Sequence, residues 1–224
     1  MKEIIENYKK IKDYGFDKKA INYLHKFEHL PSKDILMELF LFYKNIRDFN
    51  SDEKYMMRLC KLEPNNIQFK LILSTISLAI CHFEQGFSLL ENRFQFVPQN
   101  YPDRVIPLWK KEKDKYKKIV VFGEQGFGDC FMYGRFLNEL KKQFDRVDLC
   151  VSPPLVNIFK NSKLNIDNVF TNGNINDYDF HTYICSLPYL LDIDSEKKIA
   201  NNFNYLQNGN KPKNKKIKIG LCLH

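Results

Sequence analysis

The pattern of apolar and polar residues changes once along the chain, close to residue 100. Before that point apolar residues recur at helical spacing, and Ile35, Leu36, Leu39, Phe40 and Tyr43 share one face of a predicted helix. Beyond it, short apolar runs of strand length alternate with segments of helical spacing. The pattern therefore predicts an α/β protein, in which a helical segment precedes a parallel sheet with helices on its faces.

The helical segment has an internal period. Prolines fall at positions 31, 64 and 98, which are 33 and 34 residues apart, and each interval has room for two helices. A period near 34 residues with two helices per unit is typical of tetratricopeptide repeats. Most tryptophan and small-residue positions of that consensus are replaced, so a generic helical array is the alternative. After the helix that contains Ile35 and Tyr43, the predicted helices are Asp52–Leu62, Ile67–Cys81 and Phe83–Phe94.

The second region alternates predicted strands and helices, which favours a parallel sheet. The predicted strands are Lys118–Phe122, Arg146–Val151, Asn168–Thr171, Asp179–Ser186 and Lys216–Leu223, and the predicted helices are Asp129–Phe144, Pro153–Asn161 and Leu187–Leu191. The segments Asn172–Tyr178 and Asn208–Lys216 have loop compositions.

These patterns predict three parts of the chain. We expect a helical, tetratricopeptide-like segment at residues 1–97, a linker rich in proline and lysine at residues 98–117, and a Rossmann-like domain at residues 118–224. An α/β pattern usually continues with a helix after a strand, but this chain ends directly after its last predicted strand. We therefore expect the Rossmann-like domain to be truncated.

Charge and cysteine content limit the function classes. The chain carries 35 Lys and Arg against 27 Asp and Glu, a net charge of +8, but the charge is mostly lysine and is spread along the chain. The dense run Lys110–Lys118 also contains acidic residues, so a solvated linker is favoured over a nucleic-acid surface. The six cysteines form no C-x-x-C pair and lie in apolar contexts, which favours buried, reduced thiols in a cytoplasmic protein.

Neither a signal peptide nor a transmembrane segment is predicted. The first ten residues are polar and lack an apolar core. The longest apolar stretch, Leu71–Cys81, is too short to cross a bilayer. We expect no partnership with nucleic acid and no membrane-spanning helix.

A glycine-rich turn follows the strand predicted at Lys118–Phe122. Gly123, Gly126 and Gly128 have the spacing G-x-x-G-x-G, which is neither the dinucleotide fingerprint nor a P-loop. Glycines allow the backbone to approach a ligand closely, and the following helix presents free N–H groups at its start. The spacing predicts a strand–helix junction, with weak support for phosphate binding.

Several motifs, in order, resemble one family. They are Gly86, Phe87, Leu90, Glu91 and Arg93 (for G-W-x-x-Y-E-x-R), Pro107-Leu108-Trp109 (P-x-W), Glu124–Asp129 (E-Q-G-x-G-D), Arg135-Phe136, Pro153-Pro154-Leu155, Ser186-Leu187-Pro188 and Ile219-Gly220-Leu221 (V-G-L-x-W). The set resembles bacterial tetratricopeptide-repeat glycosyltransferases of the GT-B fold, and its glycine loop resembles that of heptosyltransferases. The resemblance spans roughly residues 60–224, with Trp replaced by Phe87 and Tyr by Leu90.

The resemblance implies half of a two-domain enzyme. In the GT-B fold two Rossmann-like domains face each other across a cleft, the first mainly for the acceptor and the second mainly for the nucleotide-sugar donor. The strand motif at Ile219-Gly220-Leu221 opens the second domain, which is expected to be missing here. The implied partners are a nucleotide sugar, a glycan or protein acceptor, and a protein partner of the helices.

The resemblance also implies the site. Asp129 is the expected general base of an inverting, metal-independent transfer, which needs no cofactor and no metal. The expected substrate-binding residues are Glu124, Gln125, Gly126 and Gly128.

Structural alternatives remain for these residues. Asp129 is equally suited to cap its helix, and the glycines to form a turn with positive φ and no ligand. Arg135 is expected in a structural ion pair, His181 in the core or at a sheet edge, and Trp109 between the helices and the sheet.

Alternatives also remain for the function. The chain as a whole fits a non-catalytic, tetratricopeptide-like binding module with a relic α/β domain. A third alternative is a protein that pairs with a separately encoded donor domain.

Overall fold

The computed structural model describes residues 2–15, 17–95, 106–111, 117–200 and 205–206. The chain divides into two compact units, which we call the helical unit (Met1–Val105 with Ser186–Asn201) and the sheet unit (Ile106–Cys185 with Asn202–His224). The three-part division predicted from the sequence stays a prediction, because much of residues 98–117 lies outside the described ranges.

The helical unit begins with an array in which each helix packs on the next. The helices are α1 (Lys2–Asp13), α2 (Asp17–His25), α3 (Lys33–Asn45), α4 (Phe49–Leu62), α5 (Ile67–Ala79) and α6 (Phe83–Leu90), followed by a 3₁₀ turn at Glu91–Gln95. Buried apolar residues of consecutive helices, among them Leu24, Leu39 and Leu59, form its core. The predicted helical segment is confirmed, whereas its assignment to the tetratricopeptide class stays a prediction.

Polar side chains fix where three of these helices start. Ser32, Asp48 and Asn66 each accept a hydrogen bond from the backbone N–H three residues later. Such caps satisfy amides that the helix itself leaves without partners. The cap at Asp48 explains why α4 starts at Phe49, three residues before the predicted start at Asp52.

Gly86 sets the close approach of α5 and α6. A Cβ at this position would come within 2.6 Å of Leu78 Cδ2, which real side chains do not tolerate. The Ser74 hydroxyl donates to the Gly86 carbonyl oxygen at 2.7 Å, which ties the same two helices together. Gly86 therefore has a packing role in the motif that carried the resemblance.

The sheet unit contains a four-stranded parallel sheet in the order β3-β2-β1-β4. Its strands are β1 (Lys118–Phe122), β2 (Arg146–Cys150), β3 (Asn168–Phe170) and β4 (Phe180–Tyr183), and its helices are α7 (Phe127–Tyr133), α8 (Leu137–Lys141) and α9 (Pro153–Lys160). After β4 the chain forms a 3₁₀ turn at Ile184–Ser186 and the helices α10 (Leu187–Leu190) and α11 (Glu196–Ala200). The α/β class with a Rossmann-like parallel sheet is confirmed.

The structure corrects two predicted elements. The helix predicted at Asp129–Phe144 is interrupted by a 3₁₀ turn at Gly134–Phe136. There Gly134 lies so close to the Phe159 ring that a Cβ would come within 2.8 Å of it. The strand predicted at Asp179–Ser186 ends at Tyr183, because its last residues form the 3₁₀ turn.

Other predictions have mixed outcomes. The loop at Asn172–Tyr178 contains neither helix nor strand. The loop at Asn208–Lys216 and the strand at Lys216–Leu223 lie outside the described residues. The expectation of buried cysteines is wrong at Cys81, which is exposed in the turn between α5 and α6, although Cys130 and Cys185 are buried.

A short segment before the sheet extends it beyond β4. The Trp109 N–H donates to the His181 carbonyl at 2.9 Å, and the His181 N–H donates to the Pro107 carbonyl at 3.0 Å. Trp109 is buried and meets Phe144 edge-to-face, with 5.2 Å between ring centroids. His181 is fully buried, and its Nδ1 donates to the Ile106 carbonyl at 3.0 Å, so it is a core histidine.

Within the described ranges, no helix is long and apolar enough to cross a membrane.

Candidate functional site

The glycine loop follows β1 at the point where the strand order reverses. From β1 the chain moves outward to β2 and β3, and then returns to place β4 on the other side of β1. In open parallel sheets, ligands bind at the carboxyl ends of the strands, at this switch point. The loops after β1 and after β4 therefore border the crevice where a ligand of this fold is expected.

Gly123 is required by packing at the end of β1. A Cβ there would lie 2.9 Å from Val151 Cγ1 and 3.1 Å from Cys130 Sγ. The first glycine of the loop thus allows β1, the end of β2 and α7 to approach one another closely.

Glu124 joins the loops on both sides of the switch point. Its side chain is buried, and its Oε1 accepts a hydrogen bond from the Cys185 N–H, directly after β4, at 3.3 Å. The Cys130 thiol donates to the Glu124 carbonyl at 3.7 Å. These contacts give Glu124 a structural role, and its predicted contact with substrate stays a prediction.

Gln125 carries the unusual backbone conformation of the loop. Its φ is +58°, in the left-handed region, which costs a non-glycine residue roughly 1–2 kcal/mol. Gly126 has a φ of −95°, and Gly128 lies in α7. The alternative in which Gly126 and Gly128 form a turn with positive φ is therefore wrong, because the positive φ falls on Gln125, whose side chain is exposed.

The two later glycines are exposed. A Cβ at Gly128 would meet no atom within 4 Å, and one at Gly126 would meet Asp129 Oδ2 at 3.3 Å. Neither residue is needed for core packing, and glycine inside a helix costs about 0.5–1 kcal/mol relative to alanine. Their exposed backbone is compatible with the predicted approach of a substrate.

Asp129 is the third residue of α7 and is half-buried. Its Oδ2 accepts a hydrogen bond from the Gly126 N–H at 3.0 Å. That contact is one of the two hydrogen bonds of a capping box. The second would need a side chain at Gly126 to accept from the Asp129 N–H, and glycine has none. The capping alternative is thus realised in this structure. A carboxylate has about four acceptor positions, so one cap leaves capacity for a substrate hydroxyl.

Glu91, Arg93 and Ser186 meet in the helical unit, although Ser186 is far from the other two in sequence. Arg93 is 3% exposed and donates to Glu91 Oε1 at 2.6 Å and to Ser186 Oγ at 2.7 Å. The Ser186 hydroxyl lies 2.9 Å from Glu91 Oε2, to which it donates. A buried guanidinium needs such partners, so loss of Glu91 or Ser186 would leave the Arg93 charge without part of its hydrogen bonding.

Arg135 makes a local hydrogen bond to the backbone. Arg135 Nε donates to the Met132 carbonyl at 2.8 Å, within the same helical segment. Within the ranges that the structure covers, no group of three or more His, Cys, Asp or Glu side chains could hold a metal ion.

One residue of the loop was not singled out from the sequence. Phe127 opens α7 between two glycines and is 52% exposed. An apolar side chain in a glycine-rich loop is the pattern that could have drawn attention to it, since loops seldom need a large apolar residue.

No protein-family model and no curated protein matches the chain. Among solved structures, a mutant O-GlcNAc transferase from Thermobaculum terrenum is similar, with a TM-score of 0.33 and 10% sequence identity. The match covers 77% of this chain and 41% of the transferase chain. This chain therefore spans less than half of the length of the transferase. A likeness this distant carries no argument about function.

Proposed function

We propose that this chain is the acceptor-side part of a glycosyltransferase that moves a sugar from a nucleotide sugar to a glycan or protein acceptor. The observation that carries the proposal is the position of the E-Q-G-x-G-D loop, which lies on the carboxyl end of β1 at the switch point of the sheet. This is the position at which ligands of open parallel sheets are expected, so it supports the assignment.

The chemistry assigned to Asp129 is general-base catalysis. As the acceptor oxygen forms its bond to the anomeric carbon, the bond from that carbon to the nucleotide phosphate breaks, and the acceptor proton passes to the carboxylate. Attack opposite the leaving group inverts the anomeric centre, and no metal is needed for the proton transfer. The half-exposed carboxylate, with one acceptor position used by Gly126, is suited to this role.

The other loop residues are assigned to placement of the acceptor. Gly126 and Gly128 leave the backbone accessible, and the exposed Gln125 amide can donate to and accept from hydroxyl groups. Glu124 is assigned a supporting role, because its carboxylate holds the Cys185 backbone. The nucleotide sugar is assigned mainly to a second GT-B domain.

The helical unit is proposed to recruit a protein, as tetratricopeptide-like arrays do. Its paired helices and the close α5–α6 contact at Gly86 support this class of array.

A second candidate function is a non-catalytic binding module. The Asp129–Gly126 hydrogen bond favours it, since a purely structural carboxylate would make the same contact.

Calorimetric titration of the chain with nucleoside diphosphate sugars, combined with a screen of immobilised glycans, tests the assignment of the two substrates. We expect glycan binding that is lost on Gly128→Leu, which places a side chain in the open space beside the loop. We expect donor binding to be weak or undetectable. A low-micromolar donor affinity, roughly −8 kcal/mol, would contradict the acceptor-side assignment, as would the absence of any glycan ligand.

A further inference from the structure

A large aromatic ring is exposed in the middle of the glycine loop. Phe127 is 52% exposed, whereas Phe122, Phe136 and Phe159 of the same unit are at most 3% exposed. Its position at the start of α7 does not call for an aromatic residue, because phenylalanine is only a moderate helix former. Neither core packing nor helix formation therefore explains Phe127.

The residues on both sides of Phe127 leave its surroundings open. Gly126 and Gly128 carry no side chains, and space for a Cβ at Gly128 is free to 4 Å. Asp129, two residues after Phe127, adds a hydrogen-bond acceptor to the same loop. The loop thus presents an apolar ring and a carboxylate at the switch point of the sheet.

We propose that Phe127 is the platform on which a pyranose ring of the acceptor stacks while a sugar hydroxyl donates to Asp129. A pyranose combines an apolar face of C–H groups with a rim of hydroxyl donors, which matches a loop that offers both an aromatic ring and a carboxylate. A phosphate fits less well, because the negative charge of Asp129 repels it. This inference rests on the proposed function, since it names the substrate class of that site.

Titration of the full chain with methyl β-glucopyranoside, methyl β-galactopyranoside and the methyl glycoside of N-acetylglucosamine tests the platform. Binding is followed by NMR shifts of the Gly126 and Gly128 amides. We expect millimolar binding of at least one glycoside, weakened by Phe127→Ala by about 2- to 10-fold, the range of a single aromatic contact. Phe127→Trp is expected to retain binding.

Met132→Ala is the matched control, because Met132 lies on the same helix and is also 52% exposed. Equal weakening by both alanine variants would overturn the platform in favour of general apolar contact. Binding unchanged by Phe127→Ala would overturn the platform while leaving sugar recognition by the chain intact. If no glycoside bound the wild-type chain at tens of millimolar, the platform would be overturned, and an empty glycan screen would then count separately against the proposed function.

Discussion

The Glu124 carboxylate and the Cys185 backbone N–H are joined by a 3.3 Å hydrogen bond across the switch point of the sheet. The bond connects the loop after β1 to the chain directly after β4, at the carboxyl ends of the strands where ligands of open parallel sheets are expected. Burial of the Glu124 side chain makes this contact more valuable than an exposed one would be.

The first prediction concerns this bond. Glu124→Ala is expected to lower the free energy of unfolding by about 1.5–3 kcal/mol, since a hydrogen bond to a charged acceptor is lost in a buried setting. Glu124→Gln, which keeps an acceptor oxygen, is expected to cost less. Urea denaturation measures both values, and an alanine variant as stable as the wild type would show that the contact does not hold the loop.

The second prediction compares two glycines of the loop. Gly123→Ala is expected to destabilise the protein, because its Cβ would lie 2.9 Å from Val151 Cγ1. Gly128→Ala is expected to stabilise it by about 0.5–1 kcal/mol, because alanine favours the helix and its Cβ has open space. Thermal unfolding of the two variants checks the opposite signs. A matching destabilisation at both positions would mean that the packing differs from the structure described.

The general fold was predictable because it follows from periodic patterns. The change of period near residue 100 separated helices from strands, and the strand at Lys118–Phe122 was predicted with the observed bounds. The predicted start of α4 was wrong because the cap at Asp48 is a single local contact with no periodicity. The 3₁₀ turn at Gly134 is a local change of helix type that the apolar spacing does not indicate, and the close approach of Gly134 to Phe159 joins residues far apart in the chain.

The candidate site was predictable only as a location. The glycine spacing placed a loop between β1 and α7, but the roles inside it depend on contacts between distant residues. The Glu124 carboxylate accepts a hydrogen bond from the Cys185 N–H, 61 positions away in the chain. The positive φ of the loop falls on Gln125 rather than on a glycine. The Arg93–Ser186 contact likewise joins motifs that the sequence shows only as separate matches.

The third prediction concerns the pH dependence of stability at Asp52. Burial raises the pKa of this carboxyl to about 6, and its Oδ1 has no hydrogen-bond partner among the described residues. The folded state therefore holds a proton more tightly than the unfolded state, whose pKa is about 3.9. Stability contributed by Asp52 should consequently fall as the pH rises from about 4 through about 6.

Asp52→Asn should remove this dependence, because the amide stays neutral. The variant is expected to be more stable than the wild type at pH 8 by on the order of 2 kcal/mol, and to differ little at pH 4. Urea denaturation at the two pH values gives the comparison. A variant less stable than the wild type at pH 8 would mean that the Asp52 carboxylate is stabilised by its surroundings.

The fourth prediction concerns Glu28, whose pKa is shifted in the opposite direction to that of Asp52. The Tyr55 hydroxyl, 2.6 Å away, together with His25 and Lys54, lowers the pKa of Glu28 to about 2. The unfolded state takes up a proton near pH 4.3, so the stability that Glu28 contributes is present above that pH and is lost as the pH falls towards 2. Glu28→Gln should be less stable than the wild type at pH 7, and the difference should shrink towards pH 2. A difference that does not depend on pH would exclude the charged contact as its cause.

The fifth prediction concerns Asp129 and is the central test of the proposed enzyme. The measurement is kcat of the Asp129→Asn variant in a reconstituted two-domain protein that joins this chain to a donor-binding GT-B domain, with the melting temperature of the same variant as control. Asparagine keeps the size and much of the capping at Gly126 but removes the base. The account predicts a loss of about 10²–10⁴-fold in kcat at an unchanged melting temperature. Near-normal kcat with a clearly lower melting temperature would contradict it, because Asp129 would then hold its helix and take no part in the chemistry.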